Sequence, residues 1–207
     1  NNISYDLINA DGNYFSNEFF KNSSSAIYGN NPYYSCTSDT FRDSQFFNNT
    51  LDFNFLQGPD SNFTFINSTI NRSRIYTYPL STVYVKWYVD VNVTDSNNVS
   101  LENTTILVYN SIDELEDTQS TDVTGMARLT IPEYYKTDGT ITYYITPSTI
   151  NAIKNNYTGS TSSLNLIDIQ YSQVNFSLSE STCNSTITTD AYIGNNFTCN
   201  GGGFIIG

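Results

Sequence analysis

TVYVKWYVDVNV, residues 82–93, is the stretch of sequence that decides the fold. Five valines and Trp87, the only tryptophan of the chain, take the odd positions, and polar or aromatic side chains take the even ones. Alternation with a period of two predicts a half-buried strand, a pattern common in antiparallel sheets. At about 3.3 Å per residue this strand would be roughly 35–40 Å long. We expect it to form the centre of a β-sandwich.

The rest of the chain repeats the same short alternations, separated by turn residues. Leu51 to Phe55 and Phe63 to Phe65 alternate on either side of Gly58-Pro59-Asp60-Ser61, which predicts a hairpin. Ser148 to Lys154 is predicted as a short helix. The fold class predicted is all-β, with one or more immunoglobulin-like antiparallel β-sandwiches and an N-terminal extended donor strand. The expected divisions are a tail at 1–12, a β-rich domain at 13–80, a sandwich at 81–180 and a C-terminal segment at 181–207.

Composition limits the classes of partner. Lys and Arg total 8 against 20 Asp and Glu, so the net charge of −12 leaves no basic surface for nucleic acid. The chain has no run of about 18 apolar residues, so no membrane span is expected. It begins with Asn1 rather than Met, which suggests either a processed product, with a cleaved secretory signal as the natural cause, or a fragment.

Asn-X-Ser/Thr triplets, the acceptors of N-linked glycans, are dense. There are 13 among the 28 asparagines, where composition alone would give roughly 7. Asn62, Asn92 and Asn175 lie on outward positions of predicted strands, which indicates accessibility. We expect several sites to carry glycans and the protein to be extracellular. The acceptors are Asn2, Asn22, Asn48, Asn62, Asn67, Asn71, Asn92, Asn98, Asn103, Asn156, Asn175, Asn184 and Asn196.

The acceptors are unevenly placed, because none lies between Thr104 and Asn155. One hypothesis is that this segment includes a face covered by a neighbouring subunit. The alternatives are chance, or a segment that is simply core.

Three cysteines cannot all pair within one chain. In an oxidising compartment Cys183 with Cys199 is the preferred disulfide, because it closes a short C-terminal loop. Cys36 would then be free, buried or paired with another molecule.

No catalytic residue, metal site or cofactor is predicted. The chain lacks histidine, the commonest general base and a common metal ligand, and it has no Cys-X-X-Cys pair. The acids from Asp113 to Asp117 match no calcium loop and are interpreted as a solvated loop. Lys86 could form an isopeptide bond with a neighbouring Asn or Asp, although an exposed, solvated lysine is the more ordinary reading. We expect the protein not to be an enzyme.

Two resemblances to known families follow from these residues. The first resemblance is to the turn of carboxypeptidase-regulatory and transthyretin-like β-sandwich modules. It is carried by Asp122-Val123-Thr124-Gly125-Met126-Ala127-Arg128-Leu129, which follows the predicted strand TTILVYN. This resemblance covers about residues 83–146 and implies a sandwich with a scaffold role. In overall composition the chain resembles the subunits of thread-type surface filaments of Crenarchaeota. It is rich in Asn, Ser, Thr and Tyr, it has dense acceptor triplets and few charges, and it lacks histidine and an N-terminal pilin helix.

The filament resemblance implies head-to-tail polymerisation by donor-strand complementation. In that arrangement Ile3, Tyr5 and Leu7 of one subunit would fill a groove in the next, and identical subunits would be the partners. An ordinary first strand of the chain's own sheet is an equally good reading of these residues, and the C-terminal apolar run could serve as the donor instead. A filament subunit serving adhesion or biofilm is thus the predicted function. The alternatives are a monomeric adhesin or carbohydrate-binding module, a surface-layer or virion protein, and an accessory domain of a longer hydrolase.

Overall fold

The computed structural model describes residues 3–6, 12–30, 38–57, 61–79, 81–139, 141–167 and 171–181. Cys36, Cys183, Cys199 and Leu7 lie outside these ranges, as do Asn2, Asn184 and Asn196. The strands before the long central one are β1 (Ile3–Asp6), β2 (Tyr14–Ser16), β3 (Phe19–Lys21), β4 (Ser25–Asn30), β5 (Asp39–Arg42), β6 (Gln45–Phe47), β7 (Leu51–Gln57), β8 (Asn62–Ile66) and β9 (Ile75–Tyr76). A short 3-10 helix, Arg72–Arg74, precedes β9.

The second half contains the strands β10 (Thr82–Asp95), β11 (Thr105–Tyr109), β12 (Leu115–Ser120), β13 (Met126–Thr137), β14 (Ile141–Tyr144), β15 (Ser148–Ile153), β16 (Ser160–Leu164) and β17 (Tyr171–Leu178). The all-β class is therefore confirmed. The short helix predicted at Ser148 to Lys154 is wrong, because Ile150 and Ala152 face the core with the period of a strand. No helix in the described part of the chain is both long and apolar enough to cross a membrane.

The first half is a coil of parallel strands. Successive strands visit three sheets in turn, so β1, β4, β7 and β9 stack in one sheet, β3 and β6 in a second, and β2, β5, β8 and β10 in a third. All these pairs are parallel. The hairpin predicted between 51 and 65 is wrong, since β7 and β8 belong to different sheets and each pairs with the equivalent strand of the coil before it. The arrangement is a three-sided β-helix, a stack of similar turns of chain.

A column of aromatic rings fills the coils. Phe15, Phe41 and Phe65 occupy equivalent positions, with ring centroids 4.8 and 5.0 Å apart and nearly parallel planes. Phe20 and Phe46 stack in the same way at 4.8 Å. These separations match the spacing of hydrogen-bonded strands, so each coil adds one ring to each column. Stacked rings of this kind contribute about 0.5–1.5 kcal/mol beyond the area they bury.

Asparagine and aspartate make the corners between strands. Asn17, Asp43 and Asn67 turn the chain at one corner and Asn22 and Asn48 at the next, all with φ between 48° and 59°. Left-handed backbone is unfavourable for most side chains but tolerated by Asn and Asp. The backbone amides of the three residues at the first corner donate to a carbonyl of the following coil, at 2.9–3.0 Å. This repeated corner gives the coil its shape.

The second half is a sandwich of two sheets. One contains β14, β13, β10 and β17 and the other contains β12, β11, β15 and β16. The odd-numbered valines of β10 point inward as predicted, and they are fully buried. Residues 82–86 of β10 pair with β8 of the coil, and residues 88–95 pair with β17 of the sandwich. The change of architecture thus falls within β10.

The turn before β13 explains the motif that resembles carboxypeptidase-regulatory modules. The Asp122 carboxylate accepts hydrogen bonds from the backbone amides of Thr124 and Met126 and from the Thr124 hydroxyl. Gly125 has φ of 76°, and a Cβ there would lie 2.5 Å from the carbonyl oxygen of Val93. Only glycine fits both the left-handed backbone and this close approach.

Candidate functional site

The open end of the coil is the first candidate site. Each of the three coil sheets ends here in an edge strand, which is β1, β2 or β3. Within the described ranges, no strand pairs with the outer edges of these three. An edge strand presents unpaired N–H and C=O groups to any chain that can add a further strand.

The predicted donor residues lie at this end, but on their own chain. β1 runs parallel to β4, with Tyr5 beside Ile27 and Ile3 beside Ser25. The Tyr5 ring meets Phe15 edge-on at 4.9 Å and so covers the end of the aromatic column. Burial, together with the nearby charges of Asp39 and Glu18, raises the pKa of Tyr5. The segment completes its own sheet in the single chain, and Leu7 lies outside the described residues.

The acceptor asparagines are mostly accessible. Those with exposed side chains are Asn22, Asn48, Asn62, Asn71, Asn98, Asn103, Asn156 and Asn175. Asn67 and Asn92 are half-buried. The Nδ2 of Asn67 donates to the Asp43 carboxylate at 2.6 Å, so a glycan attached there would leave Nδ2 a single hydrogen for this interaction between coils.

Lys86 lies half-buried on the outer face of its sheet. Its register partners on the two neighbouring strands are Ile66 and Pro132, so neither supplies a carboxyl or amide group for an isopeptide bond.

A cavity at the junction of coil and sandwich is the second candidate site. Its volume is about 500 Å³, which is within the range of small-molecule sites. The lining residues are Thr69, Ile70, Asn71, Arg72, Ser73, Trp87, Glu133 and Tyr134. Three distant parts of the chain meet here: the corner before β9, the middle of β10 and the irregular point in β13.

The floor of the cavity is aromatic and acidic, and its rim is polar. Trp87, Glu133 and Tyr134 are at most 5% exposed, whereas Thr69, Asn71 and Ser73 are exposed. A register shift in the pairing of β10 with β13, next to Lys86, accompanies the placement of Glu133 here. The indole N–H of Trp87 donates to the Glu133 carboxylate at 2.7 Å.

Arg72 forms one wall of the cavity. Its guanidinium lies 3.8 Å from the other carboxylate oxygen of Glu133, and 5.8 and 5.2 Å from the ring centroids of Tyr134 and Tyr144. Its side chain is 34% exposed, so the group borders both the floor and solvent. A guanidinium within about 6 Å of an aromatic centroid is attracted to the face of the ring, which favours this position of Arg72.

Buried polar groups fix the rim. The carboxylate of Asp52 accepts from the backbone amide of Asn71 at 2.8 Å and from the side chain of Asn49 at 3.1 Å. Burial raises the pKa of Asp52, partly offset by these hydrogen bonds. The Asn71 side chain accepts from the amide and hydroxyl of Ser73, which starts the 3-10 turn.

Sequence reasoning did not single out Arg72, Glu133 or Tyr134. One signal was present: a glutamate in the run Leu129 to Tyr134, where the neighbouring positions are apolar or aromatic. An acid in such a run is expected to be buried with a partner.

Comparisons with known proteins give little more. No protein-family model matches the chain, and no curated protein matches it. Among solved structures, a Bacillus anthracis TIE protein aligns at 16% identity and a TM-score of 0.36, over 49% of this chain and 18% of its own. A mutant shaft pilin SpaA from Lactobacillus rhamnosus GG aligns at 11% identity and a TM-score of 0.34, over 47% of this chain and 49% of its own. The chain thus spans half or less of each, and TM-scores this low do not establish a shared fold.

Proposed function

We propose that the protein is a structural subunit of a glycosylated extracellular filament, of the thread type that its sequence resembles, and that it polymerises head-to-tail by exchange of its first strand. The observation that carries the proposal is that β1 is a four-residue edge strand at the open end of the coil, paired with β4 and with no other strand among the described residues, so the β1 of another copy can take its place. Adhesion or biofilm formation is the role proposed for the filament.

Strand exchange needs no new contact. The four residues of β1 pair with β4 of their own chain, and they would make the same hydrogen bonds with β4 of the next copy. Tyr5 would cover Phe15 of that copy in the same way. Because the two arrangements share their interactions, exchange costs little beyond the entropy of association. This form of donor-strand complementation requires β1 to leave its own sheet first.

The contact is heterologous, because one copy gives a strand and the next receives it. A heterologous contact that does not close into a ring generates an open filament. Exposed acceptor asparagines on both halves of the molecule would place glycans along the sides of such a filament.

Two variants test the proposal, and the first is a deletion. Deletion of residues 1–9 removes β1, and we expect folded monomers with no filaments in negative-stain microscopy. Filaments formed by the truncated protein would show that the N-terminal strand is not the donor.

The second variant, an engineered disulfide, distinguishes exchange of β1 between copies from pairing of β1 with β4 of its own chain. Tyr5→Cys with Ile27→Cys places two thiols on adjacent register positions, within the Cα separation that disulfides accept. In filaments, the link between positions 5 and 27 should join different chains, which non-reducing electrophoresis detects as covalent ladders. A link found only within single chains in intact filaments would contradict the exchange.

One observation favours a second candidate, a carbohydrate-binding adhesin. The junction cavity has an aromatic and acidic floor of the kind described above. Microscopy of native material separates the two candidates, because an adhesin would give single particles.

A further inference from the structure

We infer that the junction cavity binds a saccharide unit that carries a negative charge, such as a uronic acid residue of a glycan. This inference does not rest on filament assembly. It rests on the shape of the cavity, on the kinds of group that line it, and on the local excess of positive charge.

The lining has the two components that sugar binding needs. Trp87 and Tyr134, each at most 5% exposed, supply small apolar ring edges at the floor, which a C–H group of a pyranose can contact. Glu133, Asn71, Thr69 and Ser73 supply acceptors and donors around that surface for hydroxyl groups. A few polar groups on a largely fixed apolar surface are typical of small-ligand sites.

The floor is rigidly built. Glu133 is 3% exposed and receives the Trp87 indole N–H, so the carboxylate is held in one orientation by a neighbour from another strand. The rim is held from below by Asp52, which receives the Asn71 amide. A site whose groups are held in place before binding loses less entropy when the ligand arrives.

The local charge points to an anion. The chain carries a net charge of −12 with only 8 cationic side chains, and two of these, Arg72 and Lys136, meet at this junction. The Nζ of Lys136 donates to the backbone carbonyl of Arg72 at 2.7 Å. Glu133 offsets one of these two charges, and the nearby Asp52 carboxylate is offset by Arg74, so one positive charge remains. The remaining positive charge and the partly exposed guanidinium of Arg72 favour a carboxylate or sulfate group on the ligand.

The test uses the position of Trp87. Because it is the only tryptophan and lies in the cavity, its fluorescence reports occupancy directly. Unglycosylated protein is titrated with glucuronate, with glucose and with sodium sulfate at constant ionic strength. We expect a saturable change with glucuronate, binding at least about 10-fold weaker for glucose, and no saturable change with sulfate alone.

Variants assign the response to this cavity. Arg72→Gln should weaken glucuronate binding about 10-fold or more and remove the preference over glucose. Arg128→Gln is the matched control, with the same change of charge on a residue that pairs with Asp90 away from the cavity, and should leave binding unchanged. Ser73→Tyr fills the exposed rim without touching the core and should abolish the response.

Three outcomes would overturn the inference. The first is no saturable response to any of the three compounds. The second is sulfate binding as tightly as glucuronate, which would indicate an anion site without sugar recognition. The third is equal effects of Arg72→Gln and Arg128→Gln, which would indicate a general charge effect. Circular dichroism of each variant confirms that it is folded.

Discussion

At the scale of single residues, asparagine has two roles in this protein. Of the ten acceptor asparagines in the described ranges, six have positive φ: Asn22, Asn48, Asn67, Asn98, Asn103 and Asn156. Asparagine is favoured at such positions for its backbone conformation alone. The excess of Asn-X-Ser/Thr triplets therefore has a conformational cause as well as the proposed glycosylation, and occupancy of each site has to be measured.

Asn48 separates these two roles. In unglycosylated protein, Asn48→Ala should lower the free energy of unfolding by about 1 kcal/mol, because alanine is strained at a φ of 52°. Asn48→Gly should cost little, since glycine adopts this conformation freely. Asn62→Ala, at an exposed position in β8, is the control for loss of an asparagine side chain. Urea denaturation measures all three, and equal effects of the alanine and glycine variants would contradict the argument.

Asp122 should make the stability of the turn before β13 depend on pH. Hydrogen bonds from the Thr124 hydroxyl and from the amides of Met126 and Thr124 lower the pKa of Asp122 below its ordinary value. A depressed carboxyl pKa contributes stability above the pKa of the unfolded chain, and this contribution is lost as the pH falls through the folded pKa. Asp122→Asn should thus melt lower than the parent protein at pH 7.

The melting temperatures of the parent protein and of Asp122→Asn should become equal in acid. Below the depressed pKa the parent carboxyl is protonated, so the difference in melting temperature between the parent and Asp122→Asn should close. A difference that stays constant from pH 7 into this range would show that the charge of Asp122 has no part in holding the turn.

At the scale of elements, the aromatic column holds successive coils together. Phe41 is fully buried between the rings of Phe15 and Phe65. Phe41→Ala leaves a cavity in the middle of the column and should reduce stability by about 3–5 kcal/mol. Phe47→Ala, at a neighbouring strand position that is 58% exposed, should change it by less than about 0.5 kcal/mol.

Denaturation followed by far-ultraviolet circular dichroism measures both phenylalanine variants. The coil and the sandwich can unfold at different denaturant concentrations, so the transition to compare is the one that Phe41→Ala shifts. A small effect of Phe41→Ala would mean that the column is not a principal source of coil stability.

At the scale of the whole molecule, one sheet of the sandwich carries some exposed apolar side chains and no acceptor asparagine in its strands. The outward side chains of β11 and β15 include Leu107, half-buried, and Ile153, 49% exposed. The hypothesis of a face covered by a neighbouring subunit applies to this sheet, because three of its four strands, β11, β12 and β15, lie within the segment from Thr104 to Asn155. Apolar surface that carries no glycan is suited to a contact between copies.

A new acceptor tests this face. Ile153→Thr creates an Asn-X-Thr triplet at Asn151, whose register places it on the outer side of β15. In a glycosylating host, occupancy at position 151 should prevent filament formation, while Ile153→Val should not. Mass spectrometry establishes occupancy, and filaments that form with the site occupied would contradict a subunit contact here.

The sequence by itself determined the all-β class and the buried side of the long central strand, but not the strand Ser148–Ile153, for which it predicted a helix. The alternation of Val83 to Val93 predicted the buried face of β10, and that face is fully buried in the structure. The recurrence of Phe15 at Phe41, Phe20 at Phe46 and Asn22 at Asn48, each 26 residues on, was also present and would have indicated a coil. Alternation within each strand does not reveal the coil, because it is the same in a hairpin and in a stack of parallel strands.

Only the tertiary structure decided which strands are neighbours and where the cavity lies. A period of two reports which face of a strand is buried, but it is the same for parallel and antiparallel pairing. The choice was made by contacts between residues far apart in sequence, such as Asn67 with Asp43 across two coils. In the same way, Arg72, Trp87 and Glu133 form one site because β10 runs on from the coil into the sandwich, and no local pattern in the sequence encodes that meeting.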